Sequence, residues 1–189
     1  PPTSALIDSC FLRTVNHQSL LDGIAEIVKV AVVADANLFE WLERDGQRYI
    51  ASQFQTEDGM SLICHAAELF LSLKWDPRFP RTRTSIRSFG HIFSRQLEGE
   101  SDYALSHGEA ISIEMRVAVQ LAMLRGILAQ DVGARILDCF NRLGLASWAD
   151  VLDAHTSWPS VFASQFEKGE DFAFPTVAGI GKGTYLSRF

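Results

Sequence analysis

Apolar residues recur every three to four positions through most of the chain, a spacing that predicts a mainly helical protein. Leu20, Leu21, Ile24, Ile27, Val28 and Ala31 fall on one face of a helix that begins near Asn16 or Ser19, either of which can cap it. Asp22, Glu26 and Lys29 follow on the other side. The plain reading of that stripe is a solvated face carrying a weak Glu26–Lys29 pair. Asp35 is placed to cap a second helix through Leu38, Phe39, Trp41 and Leu42, closed by Asp45-Gly46. Asp58-Gly59 opens a third through Leu62, Ala66, Leu69, Phe70 and Leu73, in which Cys64 and His65 read as ordinary helix residues. Asp76-Pro77 and Phe79-Pro80 force a loop, because a residue before proline is pushed out of the helical region.

Beyond that loop, Ile92, Phe93 and Leu97 predict a helix that includes His91, with His91, Arg95 and Glu98 aligned along one side. Gly99 to Ser106 reads as a loop. The next helix runs from His107 to about Leu124, with Ala110, Ile113, Val117, Leu121 and Leu124 inward and Glu109, Ser112, Arg116 and Gln120 on another face. Three more helical segments are expected near 132–143, 148–154 and 159–166, with Asp131 and Ser147 as caps for the first two. Two stretches break the pattern. Ala5 to Leu12 is a short apolar run that predicts an edge or linker strand. Phe172 to Leu186 has no helical period and predicts a short strand or hairpin. Within it, Gly179-Ile180-Gly181-Lys182-Gly183 lacks the Ser or Thr and the following helix of a phosphate loop, so it reads as a tight turn.

Composition narrows the classes. With 189 residues, 47% hydrophobic, the chain can bury a sizeable core. A net charge of −6 gives no basic footprint for nucleic acid. The local run Arg78, Arg81, Arg83 and Arg87 reads as a solvated loop, with a phosphate contact as the alternative. Three cysteines, Cys10, Cys64 and Cys139, have no metal spacing and fit thiols in a reducing compartment. No apolar run is long enough to span a bilayer and no signal peptide is seen, so a cytoplasmic location is expected.

The candidate chemistry lies in residues 87–115. His91 follows Phe89-Gly90, and His107 precedes Gly108-Glu109; each glycine lets backbone approach the neighbouring imidazole. A carboxylate is available upstream in Gly23-Ile24-Ala25-Glu26-Ile27-Val28-Lys29. Two imidazoles and one carboxylate from separate elements form a zinc ligand set with a position open to water or substrate. At a helix N-terminus the dipole is expected to keep His107 neutral, the form that binds metal.

Taken together, Gly23 to Lys29, Phe89-Gly90-His91-x-Phe93-Ser94 and Ser106-His107-Gly108-Glu109-Ala110 resemble the C-terminal half of the sugar phosphate cyclases, of which dehydroquinate synthase is the best-known member. Pro175-x-x-x-Gly179-Ile180-Gly181 extends the resemblance to the end of the chain. Phe93-Ser94, Leu97-Glu98, Glu114 and the Pro175 pattern look more like the sedoheptulose 7-phosphate cyclases, such as 2-epi-5-epi-valiolone synthase.

The resemblance implies a helical bundle over residues 1–189 with a short strand or hairpin at its C-terminal end. By motif position it implies a divalent metal, zinc or cobalt, held by Glu26, His91 and His107, with Lys29 contacting a sugar phosphate. Arg87, Ser88 and Arg95 become candidate substrate contacts. The implied enzyme is a carbon–oxygen lyase that uses NAD and metal to turn a heptulose phosphate into a carbocycle. Sedoheptulose 7-phosphate is the first expectation, and the dehydroquinate synthase substrate, 3-deoxy-arabino-heptulosonate 7-phosphate, is the alternative.

No Gly-rich dinucleotide fingerprint is present in the chain. The resemblance therefore places the NAD-binding half in a separate N-terminal domain, supplied in cis or in trans, without which turnover is not expected. A homodimer is also implied. Ser88, where the family usually has Asn or Asp, and Arg95, where it has His or Pro, favour a third reading. In that reading the fold is kept as a binding or regulatory module.

Overall fold

The computed structural model describes residue 4 and residues 6–73, 86–149, 152 and 173–186. Its helices are α1 (His17–Ala34), α2 (Ala36–Ala51), α3 (Glu57–Ser72), α4 (Ser94–Glu100), α5 (His107–Leu124) and α6 (Gln130–Arg142). Short 3-10 turns occupy Ser9–Thr14 and Ile86–Ser88, and an antiparallel hairpin joins β1 (Phe174–Gly179) to β2 (Lys182–Leu186). This is the expected helical bundle with a C-terminal hairpin. No helix among the described residues is long and apolar enough to cross a membrane.

Side-chain caps set most of the helix starts. Asn16 accepts from the Ser19 amide to open α1, Asp35 from Asn37 and Leu38 to open α2, and Thr56 from Gly59 to open α3. Ser106 and Glu109 make a reciprocal capping box at the start of α5. Of the run from Ala5 to Leu12, the described residues 6–12 do not form the expected strand. Asp8 accepts from the Cys10 amide and starts a 3-10 turn, and among the described residues the sheet pairs β1 with β2. Helix α2 runs through Gly46 rather than ending there. A Cβ at Gly46 would lie 2.4 Å from Leu143 Cδ2, so the glycine marks a close approach of two segments. Asp131 lies in the first turn of α6 behind an uncapped Ala129. The two helices expected after Ser147 fall almost wholly outside the described residues, as do Arg78, Arg81, Arg83 and both Pro turns.

The core surrounds α1, which packs on α2, α3, α5 and the hairpin. Ile24, Ala25, Val28, Ala31, Val32 and Val33 are fully enclosed. Helix α5 is buried almost all round, so Ser112, Glu114 and Arg116 lie in the interior and Leu124 lies outside, against the two-faced expectation. These three interior groups of α5 are bonded. Ser112 Oγ donates to the Gly108 carbonyl, and Arg116 donates to the carbonyls of Leu145 and Ala146. The hairpin fastens α1 to α5. Thr176 Oγ1 donates to the Ala118 carbonyl at 2.8 Å, and the Gly181 amide to the Val32 carbonyl at 2.9 Å. The Gly179–Gly183 segment forms the expected tight turn, with Gly181 at φ +72°.

Candidate metal centre

Three elements converge at one point. Glu26 comes from the middle of α1, His107 opens α5, and His91 sits in the turn before α4 rather than within a helix. That turn is sharp because Gly90 takes φ +76°, and a Cβ there would press on Met115 and the Ile111 carbonyl. Glu26 Oε1 lies 3.2 Å from His91 Nε2 and 3.1 Å from His107 Nε2. The three ligand-capable atoms lie within 4.8 Å of one another. Ligand atoms about 2.0–2.1 Å from a tetrahedral zinc sit about 3.3 Å apart, so the spacing around Glu26 suits such an ion.

The other nitrogen of each ring is engaged. His91 Nδ1 faces the Phe89 carbonyl at 3.3 Å, and His107 Nδ1 faces Glu98 Oε1 at 2.9 Å. Both partners can only accept, so each Nδ1 is fixed as a donor, which leaves each Nε2 to meet a metal on the Glu26 side. The donor set therefore fits a divalent metal. Burial pushes the Glu26 carboxyl up, but the His91 contact and Lys29 outweigh it and bring it down to about 2. The dipole expectation for His107 is not met. Burial does favour its neutral form, but hydrogen bonds to Glu98 and Glu26 dominate and raise its pKa.

The stripe of Asp22, Glu26 and Lys29 is not a solvated face. Lys29 is 3% exposed, with Nζ 2.5 Å from Glu26 Oε2 and 5.5 Å from the centre of the Phe70 ring. Asp22 Oδ1 accepts from Ser106 Oγ, the Gly108 amide and Gln18, and so ties the start of α5 to α1. A Cβ at Gly108 would stand 2.3 Å from the Asp22 Cα. Beside the triad, Glu26, Lys29, Phe70, Arg87, Ser88, His91 and Arg95 line a cleft of about 580 Å³. Every candidate substrate residue therefore opens onto one cavity. The Arg87 guanidinium stacks over Phe70 at 4.5 Å, and Arg95 is exposed at the cleft. His65 stays outside the site, paired with Asp35.

Glu114 has no assigned task in the sequence reading. It is fully buried; Oε1 accepts from the Ile92 amide and Oε2 from Phe93 and Ser94, each at 2.7 Å. Burial pushes this carboxyl up to about 7, against the pull of the three amides and of Lys29. Asp22, Glu98 and Glu114 act on backbone or side chains remote in sequence. In the sequence Asp22 and Glu98 stand out as members of polar stripes, and Glu98 and Glu114 as features of the resemblance; none of these indicates a contact.

Residues 23–163 match the family described as 3-dehydroquinate synthase C-terminal. The chain belongs to that family. It is 30% identical over its whole length to 48% of a 2-epi-5-epi-valiolone synthase from Streptomyces glaucescens. It is 27% identical to a 3-dehydroquinate synthase from Dichelobacter nodosus, covering 96% of this chain and 49% of that protein. Among solved structures, 2-epi-5-epi-valiolone synthase from Streptomyces hygroscopicus subsp. jinggangensis, with NAD+ and Zn2+ bound, superposes with a TM-score of 0.86 at 30% identity. The superposition covers 97% of this chain and 51% of that one. A 2-deoxy-scyllo-inosose synthase complexed with carbaglucose-6-phosphate, NAD+ and Co2+ shares the fold, with a TM-score of 0.69 at 17% identity, covering 95% of this chain and 50% of that one. The chain spans about half the length of the relatives it matches.

Proposed function

We propose that this chain is the metal- and substrate-binding half of an NAD- and metal-dependent sugar phosphate cyclase. The proposed reaction converts sedoheptulose 7-phosphate to a carbocycle such as 2-epi-5-epi-valiolone with loss of phosphate. The observation that carries this reading is the meeting of Glu26, His91 and His107 beside the buried Lys29, with both imidazole Nδ1 atoms already engaged. The valiolone-type relatives and the superposition at a TM-score of 0.86 support the substrate class.

In this reading Glu26, His91 and His107 hold zinc or cobalt. When bound, the metal supplies Lewis acidity toward substrate hydroxyls, and NAD supplies reversible hydride removal. Glu26 divides its work: Oε1 faces the imidazoles while Oε2 holds Lys29. Lys29, enclosed and fixed, presents a positive charge where an alkoxide develops. Arg87 and Arg95 offer planar donor forks to the phosphate across the cleft, and Ser88 adds a hydroxyl. Phe70 lies beneath both Lys29 and Arg87 and keeps water from that wall. Glu98 keeps the proton on His107 Nδ1. The nucleotide-binding part, a second subunit and a cytoplasmic setting belong to the same proposal.

The test uses the intact protein that contains this chain, supplied with NAD and Zn2+ or Co2+. Phosphate release and ring product are measured with sedoheptulose 7-phosphate and with 3-deoxy-arabino-heptulosonate 7-phosphate. Release from the first alone, abolished by His91→Ala and by His107→Ala, is expected. Release from the second alone makes the protein a dehydroquinate synthase. Metal binding with no release from either leaves the regulatory-module reading, to which Ser88 and Arg95 point.

A further inference from the structure

Helix α4 begins without a cap of its own: Phe93 stands at its N-cap and makes no side-chain hydrogen bond. Its first amides would be buried and orphaned, which is costly for a backbone donor. The missing acceptor comes from another helix. Glu114 on α5 takes the amides of Ile92, Phe93 and Ser94, the three residues directly after His91. The same turn rests on α5 through Gly90, against Ile111 and Met115.

Glu114 lies seven residues beyond His107, two turns further along the same helix. One rigid element thus carries one imidazole and, through Glu114, fixes the backbone that carries the other. The clamp also reaches His107 by a second route. Helix α4, once capped, presents Glu98, whose carboxylate holds His107 Nδ1 at 2.9 Å.

We infer that Glu114 is a positioning residue for the Glu26–His91–His107 centre, holding both imidazoles in their converging orientation before a cation arrives. It touches neither cation nor substrate. It acts through the 92–94 backbone and through α4. The inference rests on the metal-binding reading above. In physical terms, a site whose ligands are already ordered loses less conformational entropy on binding, so the clamp raises metal affinity without adding a ligand.

The experiment measures Zn2+ affinity, by competition with a chromogenic chelator, and the Co2+ visible spectrum on the intact protein. Glu114→Gln keeps the volume but sets an amide donor against backbone donors; Glu114→Ala removes the acceptor altogether. Affinity is expected to fall on the order of 10-fold in the first and up to about 100-fold in the second, with an altered Co2+ spectrum. Glu43→Gln weakens the hydrogen bonds from Arg135 that join α2 to α6 and involve none of the three ligands, and it serves as the stability control, with unchanged affinity expected. If folded Glu114→Gln binds Zn2+ as the wild type does, with the same Co2+ spectrum, Glu114 is a packing residue and the inference is overturned.

Should neither variant fold, hydrogen exchange on the metal-free wild type decides. Protected amides at 92–94 support the clamp, and rapid exchange there overturns it. His91→Ala and His107→Ala separate the two readings. If these variants keep full metal affinity, the metal centre itself is wrong. If they lose it while Glu114→Gln does not, only the clamp is wrong.

Discussion

At the scale of single residues, the site depends on what each polar atom is denied. The Phe89 carbonyl and the Glu98 carboxylate can only accept, so each imidazole has one nitrogen committed and one free to converge on Glu26. The sequence motifs single out Glu26, His91, His107 and Lys29, and the fold brings these four side chains together. The motifs do not identify Asp22, Glu98 or Glu114 as supports. Those contacts join side chains to groups 9 to 86 positions away, and no local period records such a bond. Asp22 and Lys29 were also misread as solvated, because helical spacing assigns a face without saying what packs against it. The cysteines give a residue-scale prediction. Cys139 is enclosed, and burial pushes its thiol up to about 12, whereas Cys10 is exposed. In native protein at about pH 8, iodoacetamide is expected to label Cys10 and leave Cys139 unmodified until denaturant is added, as read by peptide mass spectrometry.

At the scale of elements, α1 and α5 were legible almost to the residue, because Asn16 and Ser106 announce their starts and their apolar periods are long. Helix α4 was displaced, since its cap is borrowed from Glu114 and leaves no mark beside it in the sequence. The meaning of the glycines was only partly legible. Asp45-Gly46 reads as a stop in the sequence, whereas Gly46 is a contact. Gly108 reads as room beside an imidazole, whereas it is the point where α5 meets the α1 backbone. The two differ in what they press on, and this separates their mutants. Gly108→Ala drives a methyl onto the Asp22 backbone. It is expected to cost about 1–3 kcal/mol and to weaken metal binding by parting α1 from α5. Gly46→Ala meets only the mobile end of Leu143, and the gain in helix propensity, about 1 kcal/mol, offsets much of that clash. Denaturant melts of the two variants check the contrast; an equal loss in both would contradict it.

At the scale of the whole molecule, a few long-range ties decide which conditions the bundle survives. Glu43 on α2 takes two hydrogen bonds from Arg135, at 3.0 and 2.6 Å, and faces Arg142, both on α6. The Arg135 bonds, opposed in part by burial, hold its carboxyl below the ordinary 4.5. A depressed carboxyl contributes stability above its unfolded pKa, and that contribution is lost as pH falls through the lower folded value. Acid unfolding followed by circular dichroism should therefore begin below about pH 4.5, and Glu43→Gln should flatten that limb while changing little at pH 7 beyond a loss of up to about 1 kcal/mol.

A second prediction concerns the hairpin. Gly181 stands at φ +72°, with a hypothetical Cβ 2.5 Å from the Ala36 amide nitrogen. Gly181→Ala should cost more than about 1 kcal/mol and lift the hairpin from the α1–α2 corner, seen as a fall in melting temperature. That corner has a bearing on how the chain is made. Residues 174–186 bridge two helices written more than fifty positions earlier, so ribosomal synthesis must pass the hairpin before this second tie between α1 and α5, beyond the one at Asp22, can form. Until then the nascent bundle exposes the apolar surface that the hairpin covers, and a truncated transcript would yield a product whose α1 and α5 lack the hairpin's tie.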